Sequence, residues 1–567
     1  MRNVKRPEEA AQKALFDTES CGWWHTQLDP GVFRRLDEGM EGMMRRSILR
    51  LLPAEELGRN FHVIFGRPSK ELYAVCGLML LAEFKDWTVD ETAEAWCLNA
   101  GVQYALNLPR DRQSLCPRTV DNYRRMLRES DAGQEIFETV TAGIIRELGI
   151  EIKKQRLDST HVLSDMAKFG RLKLLAVTLK RFLTQLKRHH SNEHAALPGE
   201  LRERYTAAES RLFGGGTKRA QPYEESIQQV AQDMGELMAR FGENDAITAR
   251  SSYAALVRAF NEHCEVTFEE PIEIKSKAED DNGQSSQVMQ NPSDPGAGYS
   301  GHKGAGYQAQ FAQAYDHGED APGIITACLP QNAGESDSAA VEQIHQQQER
   351  MGTAPQSMLA DGAYGSQDNV EASATRGVTL ISPAAGRTKI TADPHRLTSP
   401  LDLRRVEQET ETWKKTYRAR SGIEGLNSAM KRSTGMRRLR VRGTQAVGMS
   451  IYLKTTGWNV LTAAKINKSR ARKARKAAEV LQSGSRLSRS GKKLRFRSSR
   501  GKNSAQLIRK YSAQLKSNFH PQLRIAGENH FCARVFTKAD LAIFLPLSTA
   551  PQFVSKDPDS FLALLVD

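Results

Sequence analysis

Within fifteen consecutive residues, Tyr-Arg-Ala-Arg-Ser-Gly-Ile-Glu-Gly-Leu-Asn-Ser-Ala-Met-Lys, the chain sets Tyr417, Arg420, Glu424 and Lys431. A carboxylate is a hard oxygen ligand for a divalent cation, and guanidinium and ammonium groups are ligands for phosphate. On a helix at about 100° per residue these four side chains fall within a sector roughly 60° wide, and Ala419, Ile423, Leu426 and Met430 gather on an adjoining apolar face. One face is built for core and its neighbour for chemistry. An ordinary amphipathic surface helix has the same make-up, so the stretch acquires meaning only from what else the chain supplies.

It supplies two aspartates in matching settings. Asp158 ends the run Ile-Lys-Lys-Gln-Arg-Leu-Asp, followed by Ser-Thr-His-Val, and Asp361 stands in Met358-Leu-Ala-Asp-Gly-Ala-Tyr-Gly365, where a short apolar strand stops at an Asp-Gly turn. Either alone is an ordinary turn former. The spacing Tyr, two residues, Arg, three residues, Glu, six residues, Lys resembles the signature of bacterial insertion-sequence transposases of the DDE class, in the branch named for Tyr-Arg-Glu-Lys. The two Asp segments resemble that family's first and second acidic strands. Gly301-His-Lys-Gly-Ala-Gly-Tyr-Gln308 and Ile381-Ser-Pro look like further landmarks, and the resemblance runs from roughly residue 45 to 443.

The resemblance implies that Asp158, Asp361 and Glu424 are catalytic and bind metal: two Mg²⁺ ions, about 3.5–4 Å apart, for which Mn²⁺ can substitute. Without metal, mutual repulsion should raise at least one carboxyl pKa. Tyr417, Arg420 and Lys431 would grip DNA phosphates. His302 and Lys303 fit a turn as well as a site. Arg432, Arg437, Arg438, Arg440 and Arg442 follow the helix directly and suit phosphate contacts. The implied function is a DNA transposase that binds the terminal inverted repeats of its element, cleaves, and transfers strands as a homo-oligomer. A non-catalytic DNA-binding descendant and a ribonuclease-H-like nuclease without strand transfer are the alternatives; no organic cofactor is called for.

The elements that must position these residues can be read from periodicity. Residues 1–44, with Trp23 and Trp24, show no clear period. From 45 to 150 the chain reads as a helical DNA-end-binding or dimerisation domain: Leu72, Val75, Met79 and Ala82 keep helical spacing, Thr88 and Glu91 form a capping box, and Pro117 opens a helix with Val120, Tyr123 and Leu127 inward. The gap between the last two helices is too long for a helix-turn-helix. Residues 151–463 read as an α/β catalytic domain with the family's ribonuclease-H-like mixed sheet. An all-helical insertion at about 170–275 interrupts it, with stripes through Leu172–Leu186, Ile227–Phe241 and Tyr253–Phe260 and a connecting turn at Gly214–Lys218. A polar linker, a hairpin from Tyr307 to Leu329, a helix, the Asp361 strand, a helix, a strand at Gly377–Ile381 and the Glu424 helix follow.

Charge and cysteine usage bound the setting. The chain of 567 residues has a net charge of +14. Between Lys465 and Lys502 stand fifteen Lys or Arg against one acid, Glu479, so this segment accounts for the whole excess. Residues 464–503 read as a basic DNA-binding tail, and 504–567, including the apolar Leu541–Leu547, as an unassigned segment. Seven cysteines without a Cys-x-x-Cys pair suggest neither a disulfide framework nor a zinc site. No apolar run spans a bilayer and no signal peptide is evident, which points to a cytoplasmic, nucleoid-associated protein without a membrane partner.

Overall fold

The computed structural model describes residues 28–489 except 110–113, 207–221, 267–271, 281, 317, 319–321 and 385–399, together with Arg2, and side chains in the last helix as far as 478. Trp23, Trp24, the Gly214–Lys218 turn, the basic segment past 489 and Leu541–Leu547 lie outside the described residues. Met1–Ala478 is one compact unit; of the second, Glu479–Asp567, only the end of a helix is described.

A mixed sheet lies at the centre of the first unit. Its strands are β1 (Lys154–Val162), β2 (Gly304–Ala314), β3 (Ile325–Asn332), β4 (Ser357–Leu359) and β5 (Thr379–Ile381). They lie in the order β3-β2-β1-β4-β5, and the short strand Gly298–Ser300 pairs with the start of β2. β1 is antiparallel to β2, and β2 to β3, whereas β4 is parallel to both β1 and β5. The sequence places Asp158 at a strand exit; in the structure it is mid-strand. Ser159 to Val162 continue β1 because Thr160 and Val162 are buried and the whole segment pairs with β2. What ends near Asp158 is its parallel neighbour, β4, at Leu359.

Both faces of the sheet are covered, as a mixed sheet of apolar strands requires. Leu157, Met358, Ala360 and Leu380 pack with Val341 and Ile344 of α8 (Ala340–Met351), and α9 (Gln367–Thr375) lies beside it. The opposite face shares one apolar core with the N-terminal helices α1 (Leu72–Lys85), α2 (Val89–Leu98), α3 (Pro117–Glu129) and α4 (Ala132–Leu148), and with helices described below. The Thr88–Glu91 capping box is formed in both directions, and Val120, Tyr123 and Leu127 point inward. A short helix, Ala100–Ala105, fills the gap between α2 and α3. Helices also occur where no period was visible, at Pro30–Asp37 and Met40–Met43.

The helical insertion consists of α5 (Arg171–His189), α6 (Tyr223–Phe241) and α7 (Ser251–His263), with shorter turns between them. Its stripes bury Leu172, Leu175, Leu179, Phe182, Ile227, Val230, Met234, Leu237, Tyr253, Leu256 and Phe260 in a core separate from those of the sheet. Arg171, the first residue of α5, donates to His263, the last of α7, from Nε to Nδ1 (3.0 Å) and from Nη2 to the carbonyl (2.9 Å). The insertion therefore begins and ends at one point.

After β5 come a helix at Pro400–Glu407, then α10 (Glu411–Tyr417), a 3₁₀ turn (Arg418–Ser421), α11 (Gly422–Ser433) and α12 (Thr444–Arg489). α12 is the strut of the unit. Its Asn459 joins Thr141 of α4 to both backbone groups of Ile325 in β3. Its buried Lys454 donates to the carbonyls of Glu83 and Thr434 and to Asp86 Oδ1, so all three ammonium donors are satisfied. The basic segment starts on this helix and is not all solvated tail: Ile466 is buried, Arg470 donates to the Leu148 carbonyl, and Arg475 pairs with Glu38. Among the described residues, no helix is long and apolar enough to cross a membrane.

Candidate functional site

Register brings the two aspartates together. In the β1/β4 pair Arg156 stands opposite Leu359, and two residues further along each chain are Asp158 and Asp361. Asp361, two residues past the end of β4, caps a 3₁₀ turn, Gly362–Tyr364, its Oδ1 accepting from the Ala363 N–H at 2.9 Å. Its carbonyl accepts from the Ser382 hydroxyl at 2.6 Å, just past β5. The Ser of the Ile-Ser-Pro landmark thus fixes the backbone of the second acid.

Glu424 arrives on α11, in its first turn. The single helix expected from Tyr417 to Lys431 is broken: the 3₁₀ turn Arg418–Ser421 separates α10 from α11. The cause is Arg156, on the same side of β1 as Asp158. Its Nη1 donates to the Ala419 carbonyl at 2.9 Å while Nε and Nη2 hold Gln313 Oε1. A Cβ on Gly422 would collide with this guanidinium, so a larger residue there would push Arg156 aside. Ile423, Leu426 and Met430 still face the core as the apolar stripe demands.

The break turns Arg420 inward. Its Nη2 lies 3.2 Å from Asp158 Oδ1 and 3.3 Å from Asp361 Oδ2, and its Nη1 lies 3.4 Å from Glu424 Oε1. One guanidinium joins all three acids. They are graded in exposure, with side chains 13%, 34% and 67% accessible for Asp158, Asp361 and Glu424, so the site opens on the Glu424 side. Asp158 Oδ2 accepts from Asn427 Nδ2 at 3.0 Å, and Asn427 Oδ1 is buried with no hydrogen-bond partner. Burial pushes the Asp158 carboxyl up to about 6; Arg420 opposes this and Asp361 adds to it.

A polar layer supports Asp158 through its neighbour Ser159. Lys303 Nζ donates to the Ser159 hydroxyl (2.6 Å) and Gln308 Oε1 (3.1 Å) and lies 3.5 Å from Asp337 Oδ2. Asp337 in turn holds Gln310, which accepts from the buried Tyr364 hydroxyl. Asn427, Arg156 and Asp337 escaped the sequence reading. Arg156 had a signal, since it precedes Asp158 by two residues on one strand face; Asn427 had one too, one helical turn after Glu424.

The other expected residues lie around this centre. Tyr417 stacks on Trp413, ring centroids 4.6 Å apart, and burial raises its hydroxyl pKa. Lys431 is half-buried, and burial together with Arg437 and Lys303 lowers its ammonium pKa. His302 is exposed. Arg437 to Val441 do not prolong α11; they run as an extended segment beside the end of β1, with Leu163 N donating to the Arg437 carbonyl and Leu439 N to the Leu163 carbonyl. Arg432, Arg437, Arg438, Arg440 and Arg442 are exposed. Arg438 and Arg442 lie 4.0 and 3.7 Å from Asp165, and Arg440 lies 3.3 Å from Asp86.

The three carboxylates joined by Arg420 are hard oxygen donors, of the chemical kind that holds a divalent cation. As they stand, no three or more His, Cys, Asp or Glu among the described residues are gathered closely enough to hold a metal ion, and the guanidinium of Arg420 lies among the acids.

Residues 283–460 match the family model described as Transposase DDE domain. The match supports a DDE-class transposase; members of that family are nucleotidyl-transferase enzymes that act on DNA and generally use divalent metals. It includes Asp361 and Glu424 and stops short of Asp158. Searches of the curated proteins and of the solved structures found no match.

Proposed function

We propose that this chain is a Mg²⁺-dependent DNA transposase of the Tyr-Arg-Glu-Lys branch, with Asp158, Asp361 and Glu424 as its catalytic acids. The observation that carries this reading is the convergence of these acids, from three elements far apart in sequence, on one guanidinium at the end of a parallel strand pair. The strand order, three antiparallel strands followed by two parallel to the first, supports a ribonuclease-H-like core interrupted by the helical insertion.

Divalent ions bound by these carboxylates would supply activation of the attacking oxygen and stabilisation of the leaving oxygen of a phosphodiester. The chain's own residues do the positioning. Asn427 holds Asp158 Oδ2, and Ser382 and the turn amide of Ala363 fix Asp361. Glu424, the most exposed acid, stands where DNA enters. Lys431, Arg437 and Lys303 concentrate positive charge beside the acids, which suits a phosphate. The ion pairs of Arg438 and Arg442 are long and exposed, and give way readily to phosphate oxygens.

In this reading, residues 45–150 recognise element ends, the basic segment grips DNA without sequence preference, and the enzyme works as a homo-oligomer on terminal inverted repeats in the nucleoid. The test is Mg²⁺-dependent nicking and joining of labelled duplexes carrying the repeats that flank the reading frame. Nicking with joining is expected; nicking alone would leave a nuclease, and end binding with neither would leave a DNA-binding protein.

A further inference from the structure

We propose that Arg420 is the resident counter-ion of the three carboxylates and must leave them when a divalent cation enters, so that this one side chain sets the metal concentration at which the site fills. The inference rests on the metal-dependent reading above and adds a regulator to it.

The distances are those of a shared ion, not of a committed pair. Charge-assisted N–H···O bonds run to about 2.7–2.9 Å, and an arginine committed to one carboxylate is bidentate. Arg420 has neither: its three contacts are 3.2, 3.3 and 3.4 Å, and one nitrogen, Nη2, is divided between Asp158 and Asp361. Its Nε is buried with no hydrogen-bond partner. The guanidinium is central to the acids and well bonded to none of them.

A guanidinium cannot make way by losing its proton. A cation that binds Asp158 Oδ1 and Asp361 Oδ2 together needs the space between them, and both of those oxygens now face the same nitrogen. Charge adds to this, because a divalent ion on those oxygens would stand beside the guanidinium and the two positive charges repel. The exit is open, because Glu424 is largely exposed and Arg420 sits on a short turn next to it.

The experiment uses the full chain without DNA and Mn²⁺ as the probe, with free Mn²⁺ read by electron paramagnetic resonance. Arg420→Gln is expected to bind Mn²⁺ on the order of 10-fold more tightly than wild type, the size of an ordinary coupling between sites. It is also expected to melt at a lower temperature than wild type in EDTA, and the gap should close at saturating Mn²⁺. Arg420→Lys, whose compact ammonium cannot span three acids, should bind Mn²⁺ more tightly than wild type by a smaller factor, and it carries the comparison if the glutamine variant does not fold. Equal or weaker Mn²⁺ binding by folded variants would overturn the proposal, since Arg420 would then be organising the acids. A different failure marks the reading beneath it: if Asp361→Asn leaves wild-type Mn²⁺ binding unchanged, the acids are not a metal site, and the arginine is only the hub of an ion-pair cluster.

Discussion

In the helical insertion most of the groups shut away from water are apolar, Leu175, Leu179, Leu237 and Leu256 among them, and the buried carboxylates Asp233 and Glu262 are each paired with one arginine, Arg204 and Arg258. Where β1 passes the end of β4 the groups shut away include an aspartate, an asparagine oxygen without a partner and a guanidinium nitrogen without a partner. The first arrangement gains stability from every apolar surface it buries. The second gives stability up, because desolvated charges and unmade hydrogen bonds cost free energy. A cost of this kind is what the proposed metal site would carry while it is empty of its ligand.

The largest effect that would test this contrast is catalytic. Asp158→Asn, Asp361→Asn and Glu424→Gln should each reduce Mg²⁺-dependent nicking and strand transfer by several orders of magnitude while binding of element ends, measured by gel shift, stays near wild type. Full activity in any one of them removes that residue from the site. In the insertion the response should reverse. Leu179→Ala or Phe182→Ala should cost about 2–5 kcal/mol in chemical denaturation, by opening a cavity in a packed core. A loss below about 1 kcal/mol would mean that the insertion is loosely packed and the contrast overstated.

The pH dependence of stability separates the regions more gently. Burial raises the Asp158 carboxyl to about 6, so the fold favours its neutral form. That contribution is intact below about pH 4, the ordinary Asp range, and is lost as pH rises through 6. In EDTA the melting temperature of wild type should therefore fall relative to Asp158→Asn between pH 4 and 7, and parallel curves would show that this carboxyl carries no burial penalty. Removing residues 479–502 should weaken binding to element ends and random duplex alike and flatten the dependence on salt. Unequal losses would mean that the segment reads sequence. Asp165→Asn should change least: its contacts with Arg438 and Arg442 are exposed and long, so nicking should stay within about twofold of wild type.

What could be read in the sequence follows the same division. Leu172 to Phe260 announced their helices because an apolar stripe repeats at the period of the element that buries it. Asp158, Asp361 and Glu424 were singled out through their resemblance to a family's motifs, and the structure brings all three to one guanidinium. Their partners left only spacing as a signal, Arg156 two residues before Asp158 and Asn427 one turn after Glu424. Arg156 breaks the Tyr417–Lys431 helix from a strand more than two hundred residues upstream, and nothing near Ser421 and Gly422 specifies a guanidinium beneath them. The mid-strand position of Asp158 depends on the pairing of β1 with β2, a segment more than a hundred residues downstream. Long-range pairing decided both, and periodicity carries no record of it.

The bond from Arg171 to His263 has a consequence for how the chain finds its sheet. β1 must meet β2 across almost the whole insertion, and the entropy of closing so long a loop opposes that pairing. With its two ends fastened at one point, the insertion is a closed ring, and the chain to be closed between the strands shrinks from residues 163–303 to residues 163–171 and 263–303. An early-folding insertion would therefore act as a splint that shortens the loop this pairing must close. Exchanging Arg171 for an uncharged side chain should slow refolding of the sheet more than it lowers its final stability.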